Sequence, residues 1–136
     1  MKARRRALDI LFEADQRSVE PAEVLAEHGL RRQEMGNPPL NPYTADIVNG
    51  VAKHGTEIDE TINTTSVGWS VDRMPSVDRA ALRVGVWELN WSRDVPVGVV
   101  ISEAVSAVKE LSTEDSPQFV NGVLAEVASK RAEKGM

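Results

Sequence analysis

Apolar residues recur along this chain at three- and four-residue spacing, which predicts helices rather than strands. Over residues 3–17, Ala7, Leu8, Leu11 and Phe12 share one helical face. Ser18-Val19-Glu20-Pro21 interrupts that pattern, and Pro21 suits the first turn of a second, weaker helix. That helix runs to about Arg32, with Val24, Leu25 and His28 toward its inner face. Residues 35–42 hold three prolines and a glycine and read as a loop. Asn41 then caps a helix whose first residue is Pro42. Its inward positions are Ile47, Val48, Val51 and Ala52, with a bend expected near His54-Gly55 and a continuation through Ile58 and Ile62.

Residues 63–75 read as a polar linker with a short turn, dividing one domain, 1–136, into helical halves at about 1–65 and 76–134. From Ser76 to about Trp91, Val77, Ala80, Ala81, Leu82, Val84, Val86, Trp87, Leu89 and Trp91 cover most of the circumference. A helix apolar nearly all round belongs at the centre of the fold. β-Branched residues crowd 95–101, but the 3.6-residue spacing sustained through Leu111 favours a helix over a strand. Ser112-Thr113-Glu114-Asp115-Ser116-Pro117 is a turn, and the last helix turns Phe119, Val120, Val123, Leu124 and Val127 inward. The expected class is all-α.

Composition narrows the function. At 41% hydrophobic residues, the 136-residue chain can bury a core without staples. It has no cysteine, which excludes disulfides and thiolate chemistry and fits a reducing, cytoplasmic setting. Lys2 and three arginines resemble the start of a secretory signal, but Asp9 and Glu13 interrupt the apolar stretch such a signal needs. No apolar run approaches membrane-spanning length. Residues 1–6 carry +4 and no acid, so of the formal net charge of −5 the rest of the chain carries −9. A basic arm on an acidic body is the asymmetry to explain.

Catalytic signals are absent from the sequence. The two histidines, His28 and His54, sit in no metal-ligand spacing, and no glycine-rich phosphate loop or nucleophile elbow is found. No cofactor, metal or catalytic residue is expected. The arm is the stronger signal: consecutive arginines on a helix fan about its axis, span phosphates and stack on unpaired bases. A solvated terminus is the alternative. At the 112–117 turn, Asp115 either assists the helix start or accepts a hydrogen bond from a base, and Phe119 either packs inward or stacks on a base.

Four strings, taken together, resemble the NusB family in its actinobacterial form. They are Arg4-Arg5-Arg6-Ala7-Leu8-Asp9-Ile10-Leu11-Phe12-Glu13-Ala14, Val77-Asp78-Arg79-Ala80-Ala81-Leu82-Arg83-Val84-Gly85-Val86-Trp87-Glu88-Leu89, Asp94-Val95-Pro96 with the Ile101–Lys109 helix, and Thr113-Glu114-Asp115-Ser116-Pro117-Gln118-Phe119-Val120-Asn121-Gly122-Val123-Leu124. Their order and spacing match over residues 3–128. The resemblance implies about seven helices in two packed subdomains and transcription antitermination on ribosomal RNA operons. It also implies binding of single-stranded boxA RNA with the ribosomal protein NusE, within an RNA polymerase antitermination complex. By the same resemblance, RNA contacts fall on Lys2, Arg4, Arg5, Arg6, Asp115 and Phe119, and NusE contacts on Phe12 and Asp78. The basic arm is short for the family, and Phe12 stands where the family carries a tyrosine. A related domain begins some RNA cytosine methyltransferases, but this chain is too short for the catalytic part and lacks its cysteines. The apolar edge near Phe12 is a candidate face for NusE or for a homodimer. The competing reading is a helical protein-interaction module whose arm binds an acidic partner.

Overall fold

Ten residues of one helix, from Asp78 to Leu89, are buried, and the rest of the fold is arranged around them. A computed structural model describes residues 2–66, 68–92 and 94–133. It contains α1 (Lys2–Arg17), α2 (Pro21–Glu34), α3 (Pro42–Lys53), α4 (Gly55–Thr65), α5 (Ser76–Trp91), α6 (Val97–Leu111) and α7 (Ser116–Glu133). Among the described residues there is no strand, and no helix is long and apolar enough to cross a membrane. The all-α expectation and the bounds of the central helix hold.

α5 packs against α1, α3, α4, α6 and α7, so both halves of the chain share one hub. Leu82, Val86 and Leu89 on α5 are almost completely buried, with Ile10 of α1, Ile47 of α3, Ile58 and Ile62 of α4 and Leu124 of α7. Truncating such a side chain to Ala costs roughly 2–5 kcal/mol. Two arginines tie α5 laterally. Arg79 donates to Asp15 of α1 at 2.6 and 2.9 Å, and Arg83 donates to Asp59 of α4 at 2.9 Å through two nitrogens.

Helix boundaries follow local chemistry. Asn41 Oδ1 accepts from the Tyr43 amide at 2.9 Å, with Pro42 in the first turn of α3. Past α2, Gly36 takes φ 71°, a left-handed conformation that suits glycine. The expected bend at His54-Gly55 is a full break: His54, at φ −105° and ψ 20°, separates α3 from α4. Its ring stacks on Trp91 with centroids 4.1 Å apart, which fixes the corner. The linker contains the expected short turn, a 3-10 turn at Val71–Arg73, but it departs from a polar surface stretch, because Val71 and Met74 are buried in the core. The Asn63 side chain accepts from the Val71 amide at 2.8 Å, and this bond folds the linker back onto the body.

Candidate nucleic-acid interface

The arginine arm is the first turn of α1, and its three arginines have three different environments. Arg4 points inward and is only 8% exposed. Its Nε lies 2.8 Å from both carboxylate oxygens of Glu88 on α5, its Nη1 lies 3.7 Å from Glu103 on α6, and its guanidinium sits 5.7 Å from the Tyr43 ring centre. The Tyr43 hydroxyl donates to the same carboxylate at 2.6 Å. Its burial and that bond push the Tyr43 phenol up to about 12. Buried charge of this kind persists only when paired. The structure thus places Arg4 inside, where it docks the arm onto α5, and not on the surface that the resemblance implied for it.

Lys2 is exposed, and Arg5 and Arg6 are half-buried. Arg5 Nη2 lies 2.9 Å from Glu110, an exposed residue in the last turn of α6, so the arm reaches the segment that leads into the 112–115 turn. An exposed pair of this kind is worth less than ~1 kcal/mol and exchanges readily for a phosphate. Lys2, Arg5 and Arg6 line one side of an open groove of about 780 Å³, whose other side is Arg32 and the Pro39–Pro42 segment. Asp9 also lines it; partial desolvation raises its carboxyl above the ordinary value, against the pull of Arg5, Arg6 and His28.

The second expected patch is a rigid turn. Thr113 and Ser116 hydroxyls lie 2.8 Å apart, and Ser112 and Ser116 donate to Asp78 at 2.6 and 2.7 Å. Asp78 is fully buried at the start of α5. The structure places it inside and not on a partner-facing surface: a carboxylate with no exposed surface, engaged by two hydroxyls, secures the turn from within. Asp115 is exposed and its side chain makes no hydrogen bond among the described residues; only its backbone carbonyl accepts, from the Phe119 amide at 3.3 Å. Phe119 is half-buried, edge-to-face with the partly exposed Trp69 at 5.2 Å between centroids. Phe12 is half-buried and packs against the core.

Sequence reasoning missed Glu88 and Trp69. The signal for Glu88 was available, a lone acid in the otherwise apolar run Val84-Gly85-Val86-Trp87-Glu88-Leu89. Trp69 gave none, because it pairs with Phe119 across a linker whose folding is non-local.

Residues 1–129 match the family model described as the NusB family. The chain is 51% identical over 127 residues to the transcription antitermination protein NusB of Kineococcus radiotolerans, covering 93% of this chain and 90% of that protein. It is 54% identical over 123 residues to the protein of the same name from an Arthrobacter species, covering 90% and 88%. Among solved structures it is similar to NusB of T. maritima, with TM-score 0.82, 26% identity and coverage of 99% and 96%. It is also similar to a chain of the antitermination factors NusB and NusE in complex with double-stranded RNA, with TM-score 0.81, 32% identity and coverage of 94% of both chains.

Proposed function

The chain belongs to the NusB family, and from that premise we propose that it is a non-catalytic antitermination factor that binds the boxA element of ribosomal RNA operon transcripts together with NusE. It acts in the cytoplasm as part of an RNA polymerase antitermination complex. The observation that carries the RNA reading is electrostatic: in a chain of net charge −5, Lys2, Arg5 and Arg6 line one groove on a helical turn anchored from below by Arg4. Phosphates are attracted there while the acidic remainder repels them, which gives the RNA a defined track.

In this reading the arm supplies phosphate contacts, which position the strand without reading its sequence. Base readout falls to the turn, where Asp115 offers a free acceptor to a base amino group and Phe119 offers part of its ring. Phe12, on the outer edge of α1, is the NusE-facing residue that remains after Asp78 is assigned to the interior. A small cationic patch on an acidic protein binds RNA weakly alone, so a basic partner is expected to complete the site.

A titration with a short boxA RNA and a scrambled RNA of equal length, each with and without NusE, tests this. Preferential boxA binding that tightens when NusE is present supports the reading. Equal affinity for both RNAs, unaffected by NusE, overturns it.

A further inference from the structure

The arm does not stand alone in its groove. Across from Lys2, Arg5 and Arg6, the last turn of α2 contributes Arg32, a residue to which neither the sequence patterns nor the family resemblance gave any role. Arg32 Nε donates to the Pro38 carbonyl at 2.6 Å. That bond uses one of the five donors of a guanidinium and leaves the two terminal nitrogens without a partner among the described residues. Other arginines of this acidic chain are engaged differently: Arg17 by Glu13 and Glu27, Arg79 by Asp15, Arg83 by Asp59. Arg32 is held instead by a neutral backbone oxygen, so its charge is not neutralised where it is fixed.

The wall that holds it is stiff. Pro38, Pro39 and Pro42 restrict the loop that follows α2, and the Asn41 cap secures its far end. A guanidinium already positioned loses little freedom when an anion arrives. The carboxylate among the groove's lining residues, Asp9, is offset by Arg5 and Arg6. From this geometry we propose that Arg32 is a phosphate-binding residue, and that a single-stranded RNA backbone runs in the groove between the first turn of α1 and the 38–42 loop. The proposal rests on the RNA-binding reading and extends its track from one wall to two.

The test is a salt titration of a boxA RNA and a scrambled RNA of equal length with the wild-type protein and with Arg32→Ala, Arg32→Lys, Arg6→Ala and Arg17→Ala. Thermal melts accompany each variant, and Arg32→Gln serves in place of Arg32→Ala if the alanine variant melts early. Arg32→Ala is expected to weaken binding to both RNAs by the same factor, because phosphate contacts carry no sequence information. It is also expected to lower the slope of log affinity against log salt by about 0.7, the value for one lost single-strand contact. Arg32→Lys keeps the charge and most of the slope, and Arg17→Ala changes nothing. If Arg6→Ala lowers the slope and Arg32→Ala does not, the second wall is wrong and the RNA reading stands. If the wild-type protein binds neither RNA, both fall together.

Discussion

Arg4 and Glu88, 84 positions apart in sequence, meet inside the protein with the Arg4 Nε 2.8 Å from each oxygen of the Glu88 carboxylate. The pair joins the first turn of α1 to the buried face of α5, so the surface cations beside Arg4 are placed by an internal contact. Removing Glu88 strips Arg4 of its closest carboxylate, and breaking a buried pair in this way costs ~3–5 kcal/mol. Glu88→Ala should lose that much in urea unfolding, and the double variant Arg4→Met, Glu88→Leu should recover a large part of it. If Arg4, buried against Glu88, makes no phosphate contact, the double variant should also keep the wild-type salt dependence of RNA binding. A flattened salt slope in the folded double variant would return Arg4 to the interface.

Tyr43 reports on the same cluster. It is the single tyrosine of the chain, so absorbance near 295 nm follows it without ambiguity. Its folded-state pKa is raised from 10.0 to about 12. Between those values the folded protein retains a proton that the unfolded chain has released, so stability must fall as pH rises. The contribution is fully present below pH 10 and lost by about 12. Tyr43→Phe should remove this alkaline slope. A tyrosine titrating near 10 in folded protein would show that the hydroxyl is not held on Glu88.

Much of the fold could be read from the chain, and the failures have physical causes. The bounds of α5 and α6 were legible because a helix buried on several sides carries a dense apolar pattern and ends at prolines or polar turns. The Val71–Met74 segment was not, since two buried apolar residues in a short irregular stretch show no period. Within the site, charge alone identified the arm but could not say which arginine pointed inward, because that depends on a carboxylate 84 residues away. The interior position of Asp78 was hidden for the same reason: its hydroxyl partners arrive from a turn some 35 residues later, with |i−j| of 34 for Ser112 and 38 for Ser116.

Asp78 supplies the third prediction. Its carboxylate satisfies Ser112 and Ser116 at once, so Asp78→Ala leaves two hydroxyls without their charged acceptor. Hydrogen bonds to charged groups contribute ~1.5–3 kcal/mol each. The expected loss is about 3 kcal/mol in denaturant unfolding, with faster amide exchange concentrated over residues 112–119. NusE affinity of the folded fraction should stay unchanged if Asp78 is purely internal. A large loss of NusE binding without loss of stability would contradict its burial.

Phe119 and Asp115 decide whether the turn belongs to the interface. Phe119 is neither fully buried nor free: half-buried, it packs against the core and stands edge-to-face with Trp69. Partial burial implies that Phe119→Ala costs less than the ~3–5 kcal/mol of a fully buried phenylalanine. Loss of a stacked base would cost ~1–3 kcal/mol of RNA binding in the same protein. Asp115 separates the two roles further, because its side chain caps nothing among the described residues. Asp115→Asn should therefore change stability by no more than ~0.5 kcal/mol, as surface substitutions do, while altering preference for the base it contacts. Unfolding and RNA titration on the same Phe119→Ala sample give the answer: a modest stability loss with weakened boxA binding places the ring on a base. A loss of 3 kcal/mol or more with normal affinity in the folded fraction would make Phe119 a core residue, and the RNA would then be held by the basic groove alone.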